Sequence, residues 1–325
     1  MIRKNNYGIL TNRRNRGMLL RRKSDVLMVF LVLILLVFYA GSASEVFLKP
    51  RNLKNLFASN VGLLLVTYAQ IFVVALGGVD LSVGSVISVV NVTLITMLTK
   101  NPNNWPVAFL VAIAIGAGIG LINGLLVVKG NMQPIIATLA TQTSFAGIAL
   151  LIMNIPGGTM PSDLAKFIAK GWDFKFPLLY VFVITAVVWI IFNRTGFGRS
   201  ILAVGGSEQA AECTGIKVAQ TKLLAFVASG VLSAIAAICI TAYTTSGNPL
   251  VGEQYTQRSI TTAVVGGALL AGGKVSVIGC IAATLIMGII NNMLNMLNIV
   301  AYYQYVIQGL ILVAALAISA IRSKK

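Results

Sequence analysis

The chain has 325 residues, of which 57% are hydrophobic and only 10% charged, so it carries too little polar surface to be wetted on all sides. Its net charge of +17 raises nucleic acid as a partner, but lysines and arginines of membrane chains collect at the cytoplasmic ends of spans, and placement decides between the two readings. With no histidine and three well-separated cysteines, Cys213, Cys239 and Cys280, the sequence excludes CxxC metal or redox motifs and histidine-based catalysis.

Residues 1–24 form a basic tail with eight lysines and arginines, followed by an apolar run. The nearest candidate for a cleavage site, YAGSASE at 39–45, is a poor one, so the tail reads as cytoplasmic and the first helix as retained. Residues 25–325 read as an all-α, polytopic membrane bundle of about ten transmembrane helices. The apolar segments fall at 25–42, 57–76, 83–99, 105–128, 134–153, 176–193, 221–243, 259–271, 275–297 and 302–320. The eighth is short for a span and is expected to borrow residues from the preceding loop or to be a broken helix. An N-in, C-in arrangement puts seventeen of the 25 basic residues on inner segments and eight on outer ones. The charge therefore reads as topology and attraction to membrane lipid, with no nucleic acid involved.

Between the second and third segments lies LGGVDLSVGSV, residues 76–86, where an acid stands among small residues. Gly77 and Gly78 can break the incoming helix, Asp80 or Ser82 can cap the next, and Gly84 keeps that helix slim. Asp80 accordingly reads as a helix-start carboxylate in a membrane turn; direct substrate contact and proton or cation coupling are the alternatives. Gly116, Gly120 and Gly124 give the fourth segment a flat face for close helix packing. Within the outer link 154–175, DLAKFIAK has the pattern of a short amphipathic helix.

The inner link 194–220 contains a second short helix, which Ser207 can cap, Glu208 suits in its first turn and Gly215 can end. It carries Ala210 and Ala211 and has too little apolar surface to lie on lipid, which favours docking. Farther on, GGALLAGGKV (266–275) imitates a phosphate loop and fails, with Ala268 where a glycine is required and Val275 after the lysine. No cofactor and no metal site is expected. The cysteines read as buried and unreactive. Amide side chains are scattered through the spans, and the set Asn91, Asn123, Gln142, Asn291, Asn292 and Asn295 suits a passage for a neutral hydroxylated solute; interhelical hydrogen bonding is the alternative.

LGGVDLSVGSV, GLINGLLVVKGNMQPIIATLAT (120–141), TGFGRSILAVGGSEQAAECTGI (195–216) and VVGGALLAGGKVSVIG (264–279) together resemble the permease subunits of bacterial ABC importers for ribose, xylose, arabinose, galactosides and related sugars. The resemblance implies a non-enzymatic subunit of the bacterial inner membrane that pairs with a second permease copy or paralogue. It also implies a cytoplasmic ATPase subunit, which uses ATP, and an extracytoplasmic sugar-binding protein. The helix of Ser207, Glu208, Ala210, Ala211 and Gly215 is similar to the family's coupling helix. Gln257 and Arg258 depart from the family, where an acidic residue is common. The rival reading is an ion-coupled secondary transporter of a small polar solute that uses Asp80.

Overall fold

In the computed structural model, residues 27–171 and 173–323 are described; the basic tail 1–24 lies outside them. The elements are helices: α1 (Leu27–Ala43), α2 (Pro50–Val74), α3 (Val83–Lys100), α4 (Trp105–Val128), α5 (Pro134–Ile152), α6 (Ser162–Lys170), α7 (Lys175–Arg194), α8 (Gly196–Gly206), α9 (Glu208–Cys213), α10 (Val218–Thr244), α11 (Glu253–Val265), α12 (Val277–Met296) and α13 (Ala301–Ser323). Among the described residues no strand is present. Each of the ten expected apolar segments falls on a helix, and seven helices, α2, α3, α4, α5, α7, α10 and α12, are long and apolar enough to cross a membrane. The amphipathic DLAKFIAK stretch is α6, which buries Ala165 and Ile168.

Burial sorts these helices into layers. α2 and α3 are enclosed on nearly all sides, while α5 and α7 expose most of their surface as Leu, Ile, Val and Phe, the arrangement of a bundle solvated by lipid. The tightest pairing joins α4 to α10. A methyl group on Gly116 would overlap the Gly230 carbonyl, and one on Gly120 the Phe226 carbonyl, so the glycine face of α4 lies directly against the α10 backbone.

α2 and α11 end alike. In α2 the Gly78 N–H donates to the Val73 carbonyl (3.1 Å), with Gly77 at φ +83; in α11 the Ala268 N–H donates to Ala263 (2.9 Å), with Gly267 at φ +93. Both are left-handed helix stops that a side chain would strain.

The eighth segment takes residues from the preceding loop, as expected, and remains short. α11 starts at Glu253, six residues before 259, and has 13 residues, about 20 Å of helix against a hydrocarbon core of about 30 Å. It begins deep in the bundle. After α10 ends at Thr244, residues 245–252 turn back along α3: the Asn248 N–H donates to Asn91 (2.7 Å) and the Gly252 N–H to Ser88 (3.1 Å). Gly252 then packs on Gly84, at the very start of α3. α3 and α11 thus meet N-terminus to N-terminus and run off in opposite directions. α11 leads to the end of the molecule that carries α9, and α3 leads to the end where Gly157 and Gly247 exchange backbone hydrogen bonds of 3.0 Å.

Candidate functional site

The first break, residues 75–82, occupies the centre of the bundle. Asp80 is 2% exposed, and three donors surround its carboxylate: the Ser82 N–H (2.9 Å), the Ser82 hydroxyl (2.6 Å) and the Ser229 hydroxyl of α10 (2.8 Å). The bond to the Ser82 N–H closes a small turn at the entrance to α3, so the partial positive charge of that helix end adds to the hydroxyls. Hydrogen bonds to a charged group contribute about 1.5–3 kcal/mol each, which offsets the cost of burying the charge.

Neighbouring helices extend this network. The Asn123 amide of α4 donates to the Ser82 oxygen (2.7 Å) and accepts from the Thr141 hydroxyl of α5 (2.6 Å). The Leu81 N–H donates to the Thr138 oxygen (3.1 Å). From α2, the Gln70 amide, turned to satisfy both groups, donates to the Asp80 carbonyl (3.0 Å) and accepts from the Asp80 N–H (3.1 Å). Asp80 therefore anchors hydrogen bonds that reach α3, α4, α5 and α10 through its carboxylate and α2 through its backbone. This places Gly77, Gly78, Asp80, Ser82 and Gly84 within one turn-and-helix-start motif. One detail of the expectation is corrected: the Ser82 side chain does not cap α3 but turns back to Asp80 and accepts from Asn123.

The second break, residues 245–252, repeats the device with an amide. The Asn248 side chain accepts from the Leu250 N–H (2.9 Å), the same residue spacing as Asp80 to Ser82. Asn91 of α3 plays the part of Gln70, accepting from the Asn248 N–H (2.7 Å) and donating to the Ser246 carbonyl (3.3 Å) and the Thr241 hydroxyl (2.8 Å). Asn248 itself is only half-buried.

α11 carries the most unusual surface in the bundle. Over its first two turns the residues left uncovered are Glu253, Gln254, Gln257 and Arg258, all polar. Arg258 donates to Gln254 (3.2 Å) and to Gln308 of α13 (3.0 Å), and Gln308 donates to Asn291 of α12 (3.0 Å). Nearby, Gln304 donates to Asn295 (2.8 Å). Charged side chains are costly on a lipid face, which favours water or a polar partner over lipid against this surface.

The six amides expected along a passage therefore separate. Asn91 and Asn123 are fully buried in hydrogen-bond networks, and Asn292 exchanges hydrogen bonds with Asn52 (3.0 and 3.2 Å). Gln142 is half-buried on α5. Asn291 is linked to Arg258 of α11 through Gln308, and Asn295 is paired with Gln304 of α13. Glu253 and Gln254 were missed because EQYTQR has the composition of a surface loop; the only signal was that its polar residues recur at 253, 254, 257 and 258, one helical face.

At the far end of α11's course lies the α8–α9 corner. Ser207 caps α9 by accepting from the Ala210 N–H (3.3 Å), and Glu208 pairs with Lys222 of α10 (2.6 Å). The Ile216 N–H reaches the Ala211 carbonyl (3.1 Å), with Gly215 between, and Ala211 is buried in a cluster with Val204 and Val218, against which Leu76 packs. Cys213 is exposed there, a correction to the expectation that all three cysteines are buried, since α9 stands proud of the bundle; Cys280 is buried and Cys239 half-buried.

A lipid-solvated bundle with two interrupted helices meeting at its centre, one with an open polar face, is the architecture of a membrane permease. The chain belongs to the family described as branched-chain amino acid transport system / permease component, which matches residues 52–316. It is 34% identical to the ribose import permease protein RbsC of Bacillus subtilis (strain 168), covering 88% of this chain and 90% of that one. It is 35% identical to the L-arabinose transport system permease protein AraH of Escherichia coli (strain K12) over 80% of each chain, and 30% identical to the D-allose transport system permease protein AlsC of the same strain over 91% of each. No solved structure matches the chain. It is a multi-pass protein of the cytoplasmic membrane.

Proposed function

We propose that the chain is the translocation subunit of an ATP-driven importer that carries a monosaccharide or related sugar, delivered by an extracytoplasmic binding protein, into the cytoplasm. The observation that carries this reading is the uncovered polar face of α11, Glu253, Gln254, Gln257 and Arg258, with Asn291 joined to it through Gln308. Carboxylate, amide and guanidinium groups on one wall suit a hydroxyl-rich solute, and the ribose, allose and arabinose permeases that the chain resembles agree with that chemistry. Asn91, Asn123, Gln142 and Asn292 are the further candidates for the passage.

A second permease copy or a paralogue closes the passage on its open side. N- and C-termini face the cytoplasm, where the α8–α9 corner meets the ATPase subunit through Ser207, Glu208, Ala210, Ala211 and Gly215. ATP is bound and hydrolysed by that partner, and membrane lipid covers α1, α5 and α7. The ion-coupled reading is less well supported, because it needs Asp80 accessible and Asp80 is sealed by three donors.

In liposomes holding this chain with its cognate ATPase, sugar-loaded binding protein should stimulate ATP hydrolysis and drive uptake. Uptake that needs no ATPase chain, or that collapses with a protonophore while ATP is plentiful, would refute the proposal.

A further inference from the structure

The glycine-rich stretch 266–275, which fails as a phosphate loop, has a different use. Three backbones meet there without intervening side chains. The Ala75 carbonyl, at the end of α2, accepts the Gly273 N–H (2.9 Å). Against that carbonyl lies Gly205 of α8, where a methyl group would overlap the Ala75 oxygen and stand 2.7 Å from the Gly273 nitrogen. A methyl on Gly272 would come within 2.5 Å of the Gly205 carbonyl oxygen and 2.8 Å of the Gly77 nitrogen. One residue along, Leu76 packs against the cluster that Val204 of α8, Ala211 of α9 and Val218 of α10 form.

The α8–α9 corner is thus seated on both interrupted helices at once. Through Ala75, Leu76 and Gly77 it touches the break that leads to the start of α3; through Gly272 and Gly273 it touches the loop that leaves the end of α11. Side chains can take up a displacement by changing rotamer, but backbone pressed on backbone cannot. We propose that Gly205 is a positioning residue that passes movement of the α8–α9 corner to α3 and α11 together, so that the polar wall of α11 shifts when the ATPase partner moves. This rests on the importer reading above.

The test uses the complete transporter in liposomes, comparing wild type with Gly205→Ala, Leu76→Ala and Gly206→Ala. An added methyl at Gly206 meets nothing within 4 Å. Gly205→Ala should hydrolyse ATP at the basal rate per assembled complex, yet lose stimulation by sugar-loaded binding protein and deliver less sugar per ATP by at least roughly fivefold, the lower end for coupling between distant sites. Leu76→Ala should lose part of that ratio, and Gly206→Ala none. Unchanged sugar per ATP in Gly205→Ala, or uptake and basal hydrolysis falling together with the amount of complex assembled, would overturn the proposal. Should Gly205→Ala fail to assemble, an unchanged ratio in Leu76→Ala overturns it instead. A wild type that ignores loaded binding protein overturns the importer reading and this inference with it; normal wild type beside a normal Gly205→Ala removes the inference alone.

Discussion

The two breaks make the same turn from the same geometry, an oxygen accepting the N–H two residues on at 2.9 Å, but one uses a carboxylate and the other an amide. Asp80 is enclosed and tied by its second oxygen to α10; Asn248 is half-exposed and held through its backbone by Asn91. A charge that no water can reach has to be matched by fixed donors, and those donors come from several helices. The first break is therefore a joint that locks elements together, whereas the second closes a turn and leaves α11 a partly open side.

That contrast can be broken most directly at the locked joint. Asp80→Ala removes the acceptor for the Ser82 N–H and two hydroxyls, and is expected to cost about 3 kcal/mol or more, seen as a large drop in thermal unfolding temperature in detergent. Asp80→Asn keeps one acceptor oxygen and should recover more than half of the loss; an Asp80→Ala protein as stable as wild type would erase the distinction. Next in size, Asn91→Ala deletes three hydrogen bonds at the second break and should cost about 2 kcal/mol by the same measurement. Asn248→Asp sharpens the comparison from the other side: this side chain is only half-buried, so stability should change by about 0.5 kcal/mol at most. A large penalty would mean that the second turn is as closed as the first. Smallest of all is Ser233→Ala. Its buried hydroxyl, one turn beyond Ser229, has no hydrogen-bond partner among the described residues, so removing it should be neutral or mildly stabilising, up to about 1 kcal/mol.

What could be read beforehand follows from range. Helix stops and starts are local, so Gly77, Asp80, Ser207 and Gly215 announced their elements, and the four-residue recurrence of Gly116, Gly120 and Gly124 announced a close contact without naming α10 as its partner. The return of residues 245–252 into the bundle was not legible. It depends on Asn91 gripping Asn248, a contact 157 residues long-range, and the stretch itself has no period. For the same reason Glu253 and Gln254 looked like loop residues: their helix makes sense only once its start is known to lie beside Gly84. Asn123 and Asn291 have the same side chain in similarly apolar runs, and only the packed structure separates a buried strut from a residue beside an open wall.

The head-to-head meeting of α3 and α11 bears on how the chain is made. A 13-residue segment holding Glu253 and Arg258 is too short and too polar to partition into lipid unaided, with each charge near the middle of the bilayer opposing insertion by about 3 kcal/mol. Its insertion therefore depends on the protein walls that receive it, α2, α3, α12 and α13, against which α11 packs.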